Sequence, residues 1–234
     1  MQRNLTPTDF NVFKGFSQLS PLIQDALGGI ALSINLAPGD ILLDQGEEAQ
    51  SFFLVQSGGV SLVRCLPSGK SVTIKIYGQG DIFGLLSVSG PYSSAVRVSA
   101  IHHSKVIAIN GADARELMQY HPSLSLIVID LLAAHIHHAH NRVEQMAIKK
   151  VDQRLAENLL YLAEKFAIKT GDELRIDVPL SQQDLAQFTG STPETVNRTL
   201  KQWEDEGIIR CTWKHIDILK YDDLDSIAFN YPHN

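Results

Sequence analysis

Three polar side chains near the C-terminal end of the chain are spaced to share one face of a helix. Glu194, Asn197 and Arg198 stand at positions i, i+3 and i+4, opposite the apolar Val196 and Leu200. A carboxylate can accept a hydrogen bond from the amine of cytosine, an arginine can donate two to guanine, and an asparagine can pair with adenine. The alternative is a solvated helix surface whose Glu–Arg pair contributes about 0.2–0.5 kcal/mol.

Histidine supplies the second group of candidate ligands. The run HIHHAH puts His135 and His138 on one face of a predicted helix, and His102 and His103 lie at a predicted turn between strands. Neutral imidazole is a common ligand for haem iron and for divalent metals. The alternative is that these histidines are solvated polar residues that hold no cofactor.

The polar face of Glu194, Asn197 and Arg198 lies in a segment that predicts two short helices joined by a turn. Ser181 is a typical N-cap with an acidic residue three positions later, and Gly190 supplies the turn. A second helix then begins at Pro193. The following segments IIRCTW and HIDILK predict a hairpin, so this part of the chain predicts a helix-turn-helix with a wing.

Short strands separated by glycine-containing turns occupy residues 34–110. Residues 52–65 and 71–77 are rich in Val, Ile, Phe and Leu, and Pro67, Ser68 and Gly69 stand between them as in a hairpin turn. This pattern predicts a small antiparallel barrel or jelly roll. A short helix beginning at Pro21, after the N-cap Ser20, is predicted ahead of it.

A long helix is predicted from Pro122 to about Lys149, a stretch without glycine or a further proline. Its apolar positions follow helical spacing through Leu124, Ile127, Val128, Leu131 and Ala134. About 25 residues is longer than a globular domain usually needs, so this helix is a candidate dimer seam. A further helix is predicted over Val151–Ala167, ended by the segment Lys169–Asp172.

Composition excludes several classes of protein. The chain has 234 residues, 44% of them hydrophobic, and a net charge of −6, which excludes a disordered or disulfide-scaffold protein and allows two domains. The two cysteines have no zinc-finger or iron–sulfur spacing. The N-terminus lacks the apolar core of a signal peptide, and the most apolar run, residues 124–134, contains an aspartate. We therefore expect a cytoplasmic protein without a membrane span.

The negative charge does not exclude DNA as a ligand. Residues 150–234 contain 10 basic and 15 acidic side chains, yet four basic residues lie in the second helix of the motif or in the wing, namely Arg198, Lys201, Arg210 and Lys214. We expect few phosphates to be neutralised per subunit, and hence a shallow dependence of DNA affinity on salt.

Taken in this order, these parts resemble the CRP/FNR superfamily of bacterial transcription factors. The similarity rests on LAQFTGSTPETVNRTLKQWEDEGII and on glycines after turns at Gly39, Gly46, Gly58, Gly69, Gly80 and Gly84. The resemblance implies an α+β chain with an N-terminal antiparallel β jelly roll, cupin-like, that senses an effector over residues 1–121. It also implies a dimerisation helix over 122–149 and a winged helix-turn-helix DNA-binding domain over 150–234.

The resemblance implies a reading helix that begins at Pro193 and enters the major groove, with Glu194, Asn197 and Arg198 at base edges. The expected phosphate contacts are Ser181, Gln182, Thr192, Thr195 and Lys201. At Pro193, the cyclic-AMP receptor protein carries a guanine-reading arginine. Because proline cannot donate a hydrogen bond, we expect a palindromic site with half-sites closer to TTGA than to TGTGA.

The effector segment departs from the cyclic-nucleotide cassette of the family. Leu85 stands where cyclic-nucleotide binders carry glutamate, and Ser94 or Ser93 stands where they carry arginine. A buried phosphate without a cation is costly, so canonical cyclic-AMP control is not expected. Arg97 would replace the arginine only if a bulge intervened. The effector pocket is expected to comprise Gly84, Leu85, Leu86, Ser87, Ser93, Ser94 and Arg97.

The overall expectation is an effector-responsive homodimer that binds double-stranded DNA, with RNA polymerase as a partner if it is an activator. Nothing resembles a catalytic constellation, so an enzyme is not expected. Two alternatives remain open. One is a haem- or metal-dependent gas or redox sensor of the same family, ligated through His135, His138, His102 or His103. The other is a ligand-binding protein without a DNA role. The sequence does not identify the effector.

Overall fold

The computed structural model describes residues 5–67, 69, 71–171, 173–178, 181–212 and 215–229, with the side chains of residues 141–147 and 170 outside that description. The chain forms two compact units. The N-terminal unit extends to Ala139, except for Val72–Ile74, and the C-terminal unit takes in the chain from His140. The boundary therefore falls inside the long helix that the sequence treats as a separate segment.

Antiparallel strands build the N-terminal unit. They are β1 (Ala31–Leu36), β2 (Ile41–Leu43), β3 (Glu48–Ala49), β4 (Ser51–Ser57), β5 (Gly59–Cys65), β6 (Ser71–Gly78), β7 (Ile82–Phe83), β8 (Tyr92–Ser93), β9 (Arg97–Ala100) and β10 (Ser104–Asn110). One four-stranded sheet has the order β1-β10-β4-β7 and a second has the order β2-β9-β5-β6, with β3 and β8 paired apart. The predicted jelly roll is confirmed.

The central strands β4 and β10 of the first sheet are buried on both faces, and strand alternation explains how. Along β4, Phe52 and Leu54 belong to a core shared with the flanking helices, whereas Phe53 and Val55 belong to a core inside the roll. The same division occurs along β10. This double burial is why both strands read as nearly continuous apolar runs rather than as alternating ones.

Three helices cover that sheet, and their bounds are α1 (Pro21–Ile30), α2 (Gly111–Tyr120) and α3 (Pro122–Ile148). Short 3-10 helices span Pro7–Phe10, Phe16–Gln18 and Leu85–Ser89. The predicted start of α1 at Pro21 is confirmed, as is the long helix α3. Leu124 and Val128 of α3 are buried in the helix-covered core.

One turn requires glycine. Gly58, between β4 and β5, has a φ of 74°. A Cβ atom placed there would lie 2.5 Å from the carbonyl oxygen of His103, so a side chain would collide with backbone as well as being strained.

Part of α3 is long and apolar enough to cross a membrane by length and composition. The stretch Pro122–His140 has a mean hydropathy of 1.2, and 11% of it is buried within one chain. Core and interface helices of soluble proteins meet the same criterion. The exposed part of this stretch is apolar on one side, where Leu126 and Ile129 lie.

The C-terminal unit contains α4 (Val151–Phe166), β11 (Ala167–Thr170), β12 (Glu173–Ile176), α5 (Gln182–Thr189), α6 (Pro193–Asp205), β13 (Ile209–Cys211), β14 (Ile216–Ile218) and α7 (Tyr221–Phe229). Its strands form one antiparallel sheet in the order β11-β12-β14-β13. Leu155, Leu159, Val196 and Trp203 are buried in its interior. The predicted helix-turn-helix is confirmed, and so is the β13–β14 hairpin of the wing; the intervening Trp213 and Lys214 lie outside the described residues.

The segment after α4 differs from the prediction. Lys169 and its neighbours do not simply end the helix but form the β11–β12 hairpin, with Gly171 at a φ of 65° in its turn. Ile176 is buried while Lys169 is exposed, and β12 pairs with β14 of the wing. The wing thus belongs to a four-stranded sheet, which the sequence analysis missed because β11 and β12 have only four residues each.

Candidate functional site

Two capped helices create the polar face. The Ser181 hydroxyl accepts from the Asp184 amide at 3.1 Å, and the Asp184 carboxylate accepts from the Ser181 amide at 2.9 Å. Gly190 ends α5 in the left-handed region at a φ of 68°. Thr192 then caps α6 by accepting from the Thr195 amide at 3.3 Å. These local bonds satisfy amides at both helix starts and fix the angle at which the chain enters α6.

The face of α6 opposite the core carries the predicted residues. Val196, Leu200 and Trp203 are buried, whereas Glu194, Asn197 and Arg198 are exposed, as is Lys201. The structure thus brings Glu194, Asn197 and Arg198 together on one exposed surface, in the i, i+3, i+4 arrangement expected from the sequence.

The Glu194 carboxylate is in the form that accepts hydrogen bonds. Its own backbone amide and the Thr192 hydroxyl donate to the carboxylate and hold the pKa of Glu194 below its ordinary value. It is therefore ionised at neutral pH. Within the part of the chain that the structure describes, no ion pair joins Glu194 to Arg198, and both side chains are exposed.

Asn197 has a partner that the sequence analysis missed. Gln182 Nε2 of α5 donates to Asn197 Oδ1 at 3.0 Å. The two amides therefore share one hydrogen bond, and Asn197 keeps its amide nitrogen and the second lone pair of Oδ1 for an outside partner, the pair of groups that adenine requires. Gln182, expected at a phosphate, donates one of its two amide hydrogens to α6.

Arginine and asparagine side chains of α4 support the turn between the two helices. Arg154 Nε donates to the carbonyl oxygen of Thr189 at 2.9 Å, and Nη2 donates to that of Gly190 at 3.3 Å. Asn158 Nδ2 donates to the carbonyl oxygen of Phe188 at 3.2 Å. The carbonyls at the end of α5 lack helical partners, so these bonds satisfy them and fix the turn.

A buried carboxylate accepts hydrogen bonds from two arginines in the sheet that contains the wing. Asp217 of β14 is 2% exposed and accepts from Arg175 Nε at 2.9 Å and from Arg210 Nε at 3.2 Å. Arg210 also pairs with Glu173. Burial alone would raise the pKa of Asp217, but the two arginine hydrogen bonds outweigh it and hold that pKa below its ordinary value. Arg210, expected near phosphates, is thus already engaged within the sheet.

A cavity of about 590 Å³ lies in the N-terminal unit between the roll and α3. Its lining includes Gly84, Leu85, Leu86 and Ser94 from the predicted effector segment, and both His135 and His138 from α3. An aromatic stack forms part of the wall, with ring centroids 5.2 Å apart between Phe53 and Phe83 and 5.1 Å apart between Tyr77 and Phe83.

Three residues expected in the pocket do not line the cavity. Ser87 is buried in the 3-10 helix, and exposed Ser93 donates to the carbonyl oxygen of Gly46. Arg97 bonds Asp44 through Nε at 2.8 Å and Nη2 at 3.1 Å. No bulge interrupts the β5–β9 pairing around Arg97, so strand alternation turns Val98 into the cavity and Arg97 away from it.

The histidines divide into two groups. His135 and His138 line the cavity, whereas His102 and His103 lie in the bend before β10, away from its lining. Partial burial, with Lys75 and His138 nearby, holds the pKa of His135 below its ordinary value, so the imidazole is neutral at pH 7. Among the described residues, no group of three or more His, Cys, Asp or Glu side chains could hold a metal ion.

Several polar lining residues were not predicted, namely Lys14, Lys75, Tyr77, Asp81 and Tyr92. A signal for two of them was present, because Lys75 and Tyr77 are two residues apart on a strand and therefore share a face. A lysine on the inward face of a strand is uncommon enough to mark a candidate ligand group.

Comparison with known proteins matches both units. A profile of the cyclic nucleotide-binding domain matches residues 33–121, and one of the Crp-like helix-turn-helix domain matches residues 153–227. The chain is 26% identical over 201 residues to the CRP-like cAMP-activated global transcriptional regulator of Mycobacterium tuberculosis, covering 86% of this chain and 90% of that one. It is 28% identical over 175 residues to the global nitrogen regulator of Synechocystis, covering 74% and 78%.

A solved structure shares the fold. FixK2 from Bradyrhizobium japonicum has a TM-score of 0.72 at 22% identity, covering 85% of this chain and 97% of that one. A jelly-roll domain of the cyclic nucleotide-binding type followed by a winged helix-turn-helix defines a DNA-binding transcription regulator. The chain belongs to the CRP/FNR family of such regulators. The alternative of a ligand-binding protein without a DNA role is thereby disfavoured.

The Asp217 network predicts a pH-dependent contribution to stability. A carboxyl whose pKa is lowered by folding stabilises the protein above its unfolded pKa of about 3.9, and that contribution is lost as the pH falls through the folded pKa. Asp217→Asn is expected to lower the free energy of unfolding by about 1–3 kcal/mol at pH 7, with the deficit shrinking below about pH 4.

Urea unfolding, monitored by tryptophan fluorescence, measures the free energy of unfolding, since Trp203 is buried in the same unit. Asp205→Asn, an exposed carboxylate at the end of α6, is the control and should change stability by less than about 0.5 kcal/mol. A deficit for Asp217→Asn that is equal at pH 7 and pH 3 would contradict the assignment.

Proposed function

We propose that the protein is a cytoplasmic, effector-responsive homodimer that binds a palindromic TTGA-like DNA site, and that it is not an enzyme. The observation that carries the proposal is the exposed polar face on a doubly capped α6, backed by the buried Val196, Leu200 and Trp203. Rigid support is what base readout needs, because a bidentate contact tolerates little displacement. RNA polymerase would be a further partner if the protein is an activator.

Each residue of the polar face has a role in this proposal. Ionised Glu194 accepts from a cytosine amine, and Arg198 donates to O6 and N7 of guanine. Asn197, positioned by its bond to Gln182, pairs with adenine through its amide nitrogen and the second lone pair of its oxygen. Phosphate contacts that set the register without reading sequence come from Ser181, Gln182, Thr192, Thr195 and Lys201.

An uncovered apolar stripe on α3 supports the dimer. Leu126 is 62% exposed and Ile129 is 56% exposed, and the sequence continues the same spacing through Ala133 and Ile136. The steps of three and four residues are those of a coiled-coil seam. A second copy of the helix would cover the stripe, which makes a membrane span unnecessary to explain it.

Canonical cyclic-AMP control is not part of the proposal. Leu85 is buried where cyclic-nucleotide binders carry glutamate, and Arg97 is paired with Asp44 outside the cavity. Effector binding in the cavity would instead change the relative populations of two arrangements of the dimer. The two arrangements would differ in the separation of the two reading helices, which must be about 34 Å to match one DNA turn.

A haem-dependent sensor is the second candidate, favoured by the position of His135 and His138 in the cavity lining. The lowered pKa of His135 keeps the imidazole neutral, which is the form that binds iron. Lys14 and Lys75 line the same cavity and would supply positive charge for the carboxylates of a haem. Haem would supply gas or redox sensitivity when bound.

Arg198→Ala tests the polar face. It should weaken binding to a palindromic TTGA site by about 1–3 kcal/mol per half-site, because the bidentate guanine contact is lost. Fluorescence anisotropy at fixed salt measures this, with circular dichroism to verify the fold. Arg115→Ala, an exposed arginine on α2, is the control and should bind as wild type does. Unchanged affinity of Arg198→Ala, or selection of TGTGA half-sites from random DNA, would refute the assignment.

Ile129→Asp tests the seam. Placing a charge at the centre of an apolar interface twice per dimer should raise the dimer dissociation constant by about a hundredfold or more, as sedimentation equilibrium measures. Leu22→Asp replaces a residue that is 71% exposed on α1 and should leave the constant unchanged. A dimer of undiminished stability in Ile129→Asp would place the interface elsewhere.

The visible absorption spectrum separates the two candidate effector classes. A haem-free regulator shows no Soret band after purification or after addition of haem, which is the result that the first proposal expects. A Soret band that disappears in His135→Phe or His138→Phe would support the haem sensor instead.

A further inference from the structure

A junction of two residues, Lys149 and Lys150, separates α3 from α4. It lies within the C-terminal unit, which begins at His140. Arg154 Nη1 donates to the carbonyl oxygen of Lys149 at 2.6 Å, and the Arg154 amide donates to that of Lys150 at 3.2 Å. The Lys150 amide donates to Gln153 Oε1 at 3.0 Å. These bonds satisfy both carbonyl groups of the junction and fix the path of the chain between the two helices.

The same guanidinium group also bonds the turn that precedes α6. Arg154 Nε and Nη2 donate to the carbonyl oxygens of Thr189 and Gly190. Thr192, the N-cap of α6, follows Gly190 by two residues. One planar side chain of α4 therefore joins the Lys149 carbonyl, at the end of α3, to the turn from which α6 begins.

Three carbonyl oxygens in two separate segments require the fork of an arginine. The five N–H groups of a guanidinium lie in one plane on three nitrogens, so each nitrogen of Arg154 serves a different oxygen. A lysine carries the same charge, but its single nitrogen on a flexible stem cannot hold oxygens at three places. Because Arg154 is half-buried, its hydrogen bonds are partly shielded from competing water.

The Lys149 side chain makes further contacts at the junction. Its Nζ pairs with Glu157 of α4 and donates to the carbonyl oxygen of Ala228 at 3.3 Å. It also lies 5.1 Å from the centroid of the Phe229 ring. Ala228 and Phe229 lie at the end of α7, where the helix dipole favours a positive charge. The junction is therefore bonded to α7 as well as to α4.

We propose that Arg154 is a positioning residue for DNA recognition, which makes α6 follow the end of α3 by bonding the α3–α4 junction and the α5–α6 turn at once. This inference rests on the proposed function, in which the two copies of α6 must match half-sites about 34 Å apart. With α6 fixed on the end of α3, the geometry of the dimer sets that separation. Without the fork, α6 keeps its polar face but loses its fixed placement, so sites of altered spacing are tolerated.

Amide hydrogen exchange, measured by NMR on the full-length protein, tests the junction without DNA. Arg154→Lys keeps the charge and removes the fork. The Lys150 amide should then exchange about tenfold or more faster, because the junction opens locally more often. An unchanged rate for the Lys150 amide in Arg154→Lys would overturn the proposal.

Asn158→Ala is the matched control for the exchange experiment. Asn158 Nδ2 donates to the carbonyl oxygen of Phe188 at 3.2 Å and to Thr189 Oγ1 at 3.3 Å, so it supports the turn and not the junction. The Ser191 amide, which donates to the carbonyl oxygen of Ala186 in the turn, should exchange faster in both variants. The Lys150 amide should keep its wild-type rate in Asn158→Ala, and equal acceleration in both variants would contradict a specific role for Arg154.

DNA sites with one base pair inserted between the half-sites measure the placement of α6. The insertion moves one half-site by about 3.4 Å and rotates it by about 35°. Fluorescence anisotropy should show a loss of affinity of about tenfold or more for the wild type, and of about threefold or less for Arg154→Lys. Asn158→Ala should weaken binding to both sites alike and keep the tenfold loss. The same spacing penalty in Arg154→Lys as in the wild type would overturn the proposal, because a merely structural role lowers affinity for both sites equally.

Failure of the proposed function gives a different result. A wild-type protein that binds no TTGA palindrome, while its Lys150 amide responds to Arg154→Lys as expected, would count against the regulator. It would not count against the coupling of the junction to the turn, so the two failures are distinguishable.

Discussion

The two faces of α3 impose the constraint on which the proposed regulation depends. One face completes the effector cavity through Leu131, His135 and His138, and the other carries the uncovered apolar stripe that begins at Leu126 and Ile129. Ile136 belongs to both, since it lines the cavity and continues the stripe. A helix cannot move one face without the other. In the proposed homodimer, filling the cavity and packing the seam would therefore be coupled through α3, and a ligand that prefers one helix position would alter dimer packing.

In the C-terminal, DNA-binding unit, by contrast, side-chain hydrogen bonds hold the helices and hairpins in one arrangement. Arg154 and Asn158 of α4 hold the turn between α5 and α6, and Asp217 joins Arg175 of one hairpin to Arg210 of the other. Buried polar networks of this kind favour one arrangement because each member left unpaired would cost free energy. We infer that the polar face of α6 is preformed, so that an effector would alter its placement in the dimer rather than its shape.

Local signals in the sequence were sufficient for much of the fold and for the polar face. Caps, the turn at Gly190 and helical spacing depend on residues a few positions apart, which is why α5, α6, the wing hairpin and the exposed Glu194, Asn197 and Arg198 were predicted. What was missed depends on long-range contacts. The Gln182–Asn197 bond, the pairing of Arg97 with a residue 53 positions away and the entry of Lys75 into the cavity require the tertiary fold, and no spacing rule contains them.

Coupling between the cavity and the seam is the central claim, and sedimentation equilibrium with a cavity ligand tests it most directly. The dimer dissociation constant is measured with and without saturating 1-anilinonaphthalene-8-sulfonate, a probe that binds apolar cavities. The account predicts a change of about fivefold or more, the lower end of typical coupling energies. A dimer dissociation constant that is the same with the cavity of the wild type empty and filled would contradict it.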